Sequence, residues 1–365
     1  MPKQPMQALA LQRLHNQQLI GPQATTPTQV VTWQGAVQAQ DYAGAKWAVG
    51  QRMAAATDAT LDHAFAEGAI LRTHVLRPTW HFVAPADIRW ILALTAPHVH
   101  ALNAYYYRKL ELDSVLLARA AAVLTRALAG SNYLTRDELR RELRLAGIEA
   151  DGLRLAYLIM HAELEALICS GPRRGKQFTY ALLEERAPPG KTFVRGEALA
   201  ELALRYTQSH GPVTVHDFVW WSGLSVADAR AGLEALGSRL LRETIASQEY
   251  WRPSTPFVEA APEPIVYLLP NYDEAIASYR DRSAAFDNRN AAAVYFDRSS
   301  FPHLVAIDGQ LAGTWKRTIA RKRVTVALQL FRALDAAERL ALDSAVDDYG
   351  LFLELPAAIT EIQQR

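Results

Sequence analysis

The sequence has one cysteine, no long apolar run and almost no net charge, and each absence excludes a class of protein. Cys169 alone cannot form an intramolecular disulfide, and a cysteine-based zinc site is equally excluded. No uncharged apolar run of about 18 residues occurs, so we expect no membrane span and a cytoplasmic protein. The net charge of +1 means that nucleic-acid binding would depend on local clusters of Lys and Arg.

Motifs for nucleotide phosphates and for metals are also missing. Gly171 to Lys176 has only three residues between its glycines and no Ser or Thr after the lysine, so it fails as a phosphate-binding loop. His98 and His100, like His74 and His81, have no cysteine or carboxylate nearby in the sequence to complete a ligand set. We therefore expect neither a metal nor a cofactor.

The order helix, helix, helix, strand, turn, strand occurs about three times along the chain. The repeats cover residues 1–110, 111–187 and 191–255, and a β-rich part follows at 262–365. This order is typical of a winged helix-turn-helix, and its repetition is stronger support than any single unit. The predicted fold is therefore α+β, with tandem winged helix-turn-helix units and a C-terminal part that carries a hairpin.

The C-terminal part changes to β-like patterning. Asp308-Gly309 is a hairpin-turn dipeptide, and Gly313-Thr314-Trp315 leads into the returning strand. A helix is predicted from Ala336 to Gly350. The predicted strands are Ile265 to Leu269, Ala292 to Phe296, His303 to Ile307 and Val324 to Leu330.

Two local clusters of basic residues could contact phosphates. One lies at the predicted wing of the second unit and the other beside Trp315 in the C-terminal part. A thin hairpin can enter a DNA groove. The alternative for the second cluster is a solvated edge strand that its charges protect from aggregation. The clusters are Arg173, Arg174 and Lys176, and Lys316, Arg317, Arg321, Lys322 and Arg323.

Gln38 and Gln40 lie two positions apart in a segment predicted to join two helices. Thr26-Pro27 suits the start of the first helix, and Asp41 suits the N-cap of the second. In an extended linker both carboxamides would point the same way and could address one ligand. Glutamine does not titrate, but its oxygen can orient a water and its amide can donate to a substrate.

Such a weak pair can catalyse hydrolysis only if the leaving group is already activated. An N7-alkylated purine is one, because it carries positive charge and departs as a neutral base. The enzyme then needs only to position water and stabilise an oxocarbenium-like sugar. Asp41 could contribute charge there, although capping the helix is the alternative role, and the glutamines could equally be ordinary polar linker residues.

Several separated motifs add a family resemblance. Gly35 to Tyr42 contains both glutamines and is followed by Trp47 to Gly50 and Arg52. The other motifs are Arg72-Thr73-His74, Arg77 to His81, Ile168 to Pro172, Leu269-Pro270 with Asp273, Tyr279 to Arg282, and Asp308-Gly309 with Gly313 to Trp315. Together they resemble the winged-helix DNA glycosylases typified by AlkZ. A sister branch, represented by YcaQ, has Gln-x-Asp instead of Gln-x-Gln.

The resemblance implies a monofunctional glycosylase that excises N7-alkylated purines, including bulky or cross-linking ones. We expect it to act as a monomer on double-stranded DNA. It assigns positioning of the hydrolytic water to Gln38 and Gln40. Its DNA-probing hairpin matches the region of Asp308 to Lys316. Two residues before the Asp-Gly turn, Ala306 stands where some members carry a histidine. The expected DNA contacts are Arg173, Arg174, Lys176, Asp308, Gly309, Gln310, Trp315, Lys316 and Arg317. The competing reading is a non-catalytic transcription regulator, because winged helices alone do not fix function.

Overall fold

The computed structural model describes residues 5–257, 263–286 and 301–364. The first part of the chain forms four helices and a small sheet of order β1-β3-β2. Helix α2 begins where Thr26 caps it with Pro27 at its first position, and α3 begins where Asp41 accepts from Gly44 N–H. The elements are α1 (Pro5–Asn16), α2 (Pro27–Gln34), β1 (Val37–Gln38), α3 (Tyr42–Gly50), α4 (Asp58–Glu67), β2 (Leu71–Val75) and β3 (Arg77–Val83).

After a long helix that ends the first unit, the second and third units follow the predicted order of helices and a closing hairpin. Thr135 and Glu138 form a capping box at the second helix of the second unit. Gly223 ends a helix of the third unit in the left-handed conformation. The elements are α5 (Ile88–Lys109), α6 (Ser114–Leu128), β4 (Leu134–Thr135), α7 (Arg136–Leu145), α8 (Gly152–Leu164), β5 (Ile168–Ser170), β6 (Thr179–Leu182), α9 (Leu183–Arg186), α10 (Arg195–His210), α11 (Val215–Ser222), α12 (Val226–Glu234), β7 (Leu240–Ile245) and β8 (Gln248–Pro253).

The C-terminal part is a five-stranded sheet of order β13-β12-β11-β10-β9 with one long helix. Its last strand, which pairs parallel to β12, was not predicted. The predicted strand Ala292 to Phe296 lies outside the described residues. The elements are β9 (Val266–Leu269), α13 (Glu274–Ala277), β10 (His303–Ile307), β11 (Gln310–Ala320), β12 (Arg323–Leu330), α14 (Ala336–Leu353) and β13 (Ala357–Gln364). The α+β fold class is confirmed.

The units share their cores. One apolar cluster joins Val37 and Phe82 of the first unit to Val326 and Tyr349 of the C-terminal part. Trp47 links the first unit to the C-terminal part at this junction, because its indole N–H donates to Leu268 O at 2.7 Å. A second cluster joins residues of β2 and α5 to residues of α10 and α11. Gln38 therefore lies on a strand whose neighbours come from distant parts of the chain. Across the described ranges, no helix is both long and apolar enough to span a bilayer.

Candidate active site and DNA interface

The backbone around Gln38 is fixed by three hydrogen bonds. Strand β1 pairs with β3, so that Gln38 lies opposite His81, and Ala39 N–H donates to Trp80 O at 2.8 Å. Arg72 Nε donates to Ala39 O at 3.0 Å. Gln38 N–H donates to Oε1 of Glu274 at 2.7 Å. The Gln-x-Gln segment is thus anchored on both sides of its central residue.

Glu274 is a buried carboxylate that the sequence motifs did not single out. Its Oε2 accepts from the Trp221 indole at 3.2 Å and lies 3.5 Å from His210 Nε2. Burial opposes ionisation, but His210 and the Gln38 N–H outweigh it and hold the pKa of Glu274 below its usual range. A negative charge is therefore fixed directly behind Gln38.

Beside Gln38 lies a row of buried polar atoms that make no hydrogen bond within the described part of the chain. Gln38, His81 and Thr73 are cross-strand neighbours, so their side chains share one face of the sheet. The atoms without a partner are Gln38 Oε1, His81 Nε2 and Thr73 Oγ1. Because His81 Nδ1 donates to Thr79 O at 3.0 Å, its Nε2 is an acceptor. Such groups suit an ordered water.

Arg72, on strand β2, also holds the Gln-x-Gln segment in place. Its guanidinium lies 4.3 Å from the ring centre of Trp80 and 4.5 Å from that of Phe178. Burial lowers the pKa of Arg72 to about 10, and Glu163 opposes that shift. Arg72 therefore remains cationic while its Nε holds Ala39 in place.

Gln40 is exposed, whereas Gln38 is buried. Asp41 is the N-cap of α3, as predicted, and Oδ2 lies 3.7 Å from Arg317 Nη2 on strand β11. Nη1 of Arg317 is buried and has no hydrogen-bond partner among the residues described. The predicted DNA-contacting residue Arg317 thus lies beside the catalytic candidates, not on a distant surface.

One wing residue of the second unit, Arg173, reaches the same place. Arg173 lies 4.9 Å from the ring centre of Tyr42, two residues after Gln40, and 3.9 Å from Asp62. Arg174 is bound to Glu138 at 2.8 Å. Lys176 is exposed at the tip. One cation of the second unit and one of the C-terminal sheet therefore lie beside residues that directly follow Gln40.

The predicted DNA-probing turn at Asp308-Gly309 is packed against α1, with Gly309 buried and Asp308 half-buried, and the prediction needs correction. A Cβ atom on Gly309 would lie 2.9 Å from Ala10 Cβ on α1. Asp308 accepts from Ile265 N–H at 3.0 Å, and Gln310 donates to Ala284 O at 2.6 Å. Trp315 is a core residue with 1% exposure, and its indole donates to Leu269 O. In this conformation the side chains of Asp308, Gln310 and Trp315 make contacts within the fold, and Gly309 allows α1 to pack closely on the turn.

The projecting hairpin is the next one along the chain. Strands β11 and β12 pair from Gly313 with Leu330 to Ala320 with Arg323, so the turn falls at Arg321-Lys322. Residues 318–323 are exposed, and Ile319 at the tip is 52% exposed. The basic cluster predicted from the sequence therefore belongs to this hairpin, with Lys316 exposed along its strand.

Two of the histidines considered as metal ligands have carboxylate partners that lie far away in the sequence. Glu163 accepts from His74 Nδ1 in the protein interior. Glu165 Oε1 lies 3.0 Å from His100 Nε2. Both carboxylates come from α8 or its C-terminal cap. Each lies more than 60 positions along the chain from its partner histidine, so local spacing could not reveal the pairs.

Comparison with known proteins identifies the family. The family described as DNA glycosylase AlkZ-like matches residues 31–352. The chain belongs to the AlkZ-like DNA glycosylase family. This confirms the resemblance drawn from the sequence, and the reaction class of the family is hydrolysis of N-glycosyl bonds in DNA. Both Gln38 and the Arg321-Lys322 hairpin lie inside the matched range.

A curated and a structural relative extend the comparison. An interstrand DNA cross-link repair glycosylase of Streptomyces sahachiroi is 28% identical over 200 residues, which are 52% of this chain and 53% of the relative. The alignment thus spans about half of that protein. The solved structure of the Streptomyces sahachiroi DNA glycosylase AlkZ superposes with a TM-score of 0.80 at 21% identity, covering 99% of this chain and 100% of the other. The shared fold therefore extends over the whole chain.

Proposed function

We propose that this protein is a monofunctional glycosylase that hydrolyses the N-glycosidic bond of cationic N7-alkylated purines in double-stranded DNA, including bulky or cross-linked lesions. The observation that carries the proposal is the rigidly held Gln38, whose Oε1 has no hydrogen-bond partner in the described structure and lies on a sheet face shared with His81 Nε2. Two acceptors of this kind can receive both hydrogens of one water, which orients its lone pair.

The chemistry needs little more than orientation. The bond between the sugar C1′ and the purine breaks with its electron pair going to the already cationic base, which leaves neutral. Water adds to C1′, and its surplus proton passes to solvent. The fixed carboxylate of Glu274 behind Gln38 would favour the positive charge that develops on the sugar, because a preorganised charge costs no reorganisation during the reaction.

The basic surfaces suit a duplex and not a small substrate. Arg173 and Lys176 lie on the wing of the second unit, and Arg321 and Lys322 form the tip of the β11–β12 hairpin. Phosphate contacts position a protein on DNA without reading its sequence, as a lesion-directed enzyme requires. We propose that the protein acts as a monomer on DNA in the cytoplasm, at the nucleoid.

The test is an excision assay with a duplex that carries a single N7-methylguanine. We expect abasic sites to accumulate when the protein is incubated with this duplex. Undamaged duplex incubated with the protein should gain none. A second duplex with an N7-linked interstrand cross-link examines the wider lesion range. Absence of abasic sites together with tight binding to one undamaged sequence at physiological salt would instead support a transcription regulator.

A further inference from the structure

Away from Gln38, two histidines and a glutamate meet between the first and second units. His100 lies on α5, His161 on α8, and Glu165 caps the C-terminal end of α8. One ligand atom from each of the three lies within 4.8 Å of the others. Glu165 Oε1 is 3.0 Å from His100 Nε2 and 3.9 Å from His161 Nε2. No motif in the sequence brings these residues together.

The arrangement is poorly explained as an ion pair. His100 Nε2 is a buried atom that forms no well-directed hydrogen bond within the described residues, although the Glu165 carboxylate is close by. His100 Nδ1 lies 2.8 Å from Tyr107 Oη and can donate its hydrogen there. In the tautomer in which Nδ1 donates to Tyr107, Nε2 keeps its lone pair, and a partner behind a ligating histidine commonly selects that tautomer.

The geometry points to a site for a divalent transition metal, zinc in the first place, bound by His100, His161 and Glu165. Zinc bonds to histidine nitrogen and carboxylate oxygen are about 2.0–2.2 Å long, so tetrahedral ligand atoms are about 3.3 Å apart. The observed separations need only small side-chain movements, and half-exposed Glu165 can make them. Three protein ligands leave the remaining position to water.

The consequence of the metal would be structural. It would link α5 to α8, and α8 also carries Glu163, which binds His74 on β2. Strand β2 pairs with β3, the strand that carries His81. A metal that fixes the end of α8 therefore supports the sheet behind Gln38 without touching the reacting atoms.

Zinc titration of the tag-free, metal-stripped full chain tests this site. We expect one zinc per chain by calorimetry, a higher unfolding temperature with zinc, and cobalt absorption typical of four-coordinate nitrogen and oxygen ligands. Zinc at about 100 times its Kd raises the folding equilibrium constant about a hundredfold, so the rise in unfolding temperature should be readily measured. His100→Ala and His161→Ala should each weaken zinc binding at least tenfold.

The matched control is His63→Ala. His63 Nε2 also lies near a carboxylate, 3.2 Å from Glu67 Oε1, but this pair is exposed and belongs to no three-residue group among the described residues. If a histidine variant fails to fold, Glu165→Gln on a half-exposed side chain makes the same test. Absence of stoichiometric zinc binding by the unaltered chain, or equal loss in His63→Ala, would overturn the assignment.

Discussion

His81 is a titratable side chain directly opposite Gln38 in the sheet. Burial, followed by the charge of Arg77, lowers the pKa of His81 from 6.5 to about 3. Its imidazole is therefore neutral at the pH of a cell, and Nε2 remains an acceptor beside Gln38 Oε1. The role proposed for it is to orient a water, which a protonated ring could not do.

This burial also makes the stability of the fold depend on pH. The unfolded chain takes up a proton on His81 below about pH 6.5, whereas the folded protein does so only as the pH approaches about 3. The contribution of neutral His81 is thus complete above pH 6.5 and is lost as the pH falls. Between pH 7.5 and 5.5 the free energy of unfolding therefore falls by about 1.4 kcal/mol through His81.

Urea unfolding of His81→Gln at these two pH values measures that contribution. The variant should lose about 1.4 kcal/mol less than the unaltered protein, because its residue 81 takes up no proton. His63→Gln, on an exposed side chain, serves as the control and should behave like the unaltered protein. Equal pH dependence in all three proteins would show that His81 is not buried as a neutral ring.

Residues that act locally were predicted well, and those that act at a distance were not. Asp41 and Thr26 were identified as N-caps because capping depends on adjacent backbone atoms. Glu274 was missed because it reaches Gln38 across 236 positions of sequence. Arg72 appeared only as part of a family motif, and its bond to Ala39 required the paired strands.

At the scale of elements, the two hairpins of the C-terminal sheet have opposite environments. An Asp-Gly dipeptide predicts a turn from local chemistry. It does not predict whether another element covers the turn, and here α1 packs on Gly309. The β11–β12 turn carries Arg321-Lys322 and has no glycine, so turn chemistry alone did not mark it.

Gly309→Ala tests the buried turn, with Gly130→Ala as its control. Both glycines have left-handed φ angles, +79° and +77°, so the backbone strain is matched. A Cβ at Gly309 meets Ala10 at 2.9 Å, whereas Gly130 has nothing within 4 Å. We expect Gly309→Ala to lower the free energy of unfolding by about 1–3 kcal/mol more than the control. Equal destabilisation with a selective loss of DNA affinity would restore the groove-probing role to this turn.

The projecting hairpin should bind backbone phosphates of the duplex. The slope of log K against log salt is negative. Removing one phosphate-binding cation reduces the magnitude of this slope by about 0.9 for duplex DNA. Arg321→Ala combined with Lys322→Ala should therefore weaken binding to any duplex and reduce the magnitude of this slope by up to about 2. The control is Arg126→Ala on α6. An unchanged slope in the double variant would place the hairpin outside the DNA interface.

At the scale of the whole molecule, the repeats read from the sequence are joined into shared cores. The cluster around Val37 includes Tyr349, and the cluster around Ile91 includes Trp221. Periodic patterns predicted the repeated order of elements, because each repeat carries its own caps and turns. They could not predict how the repeats assemble around Gln38, since assembly depends on contacts between distant surfaces.

This assembly gives the Gln-x-Gln segment its proposed function. The first unit supplies Gln38 and Gln40, the second supplies Arg173, and the C-terminal part supplies Glu274 and Arg317. Neither glutamine titrates, so catalysis has to come from holding a water against an already activated bond. The central claim is that these carboxamides, in this frame, accelerate base excision.

Single-turnover excision of N7-methylguanine by Gln38→Ala combined with Gln40→Ala tests that claim most directly. Gln248→Ala, at an exposed position at the start of strand β8, is the matched control, and binding to the lesion duplex is measured for each protein. We predict at least about a 10²-fold lower excision rate for the double variant, with DNA binding retained and the control unchanged. Undiminished excision by the double variant would contradict the account.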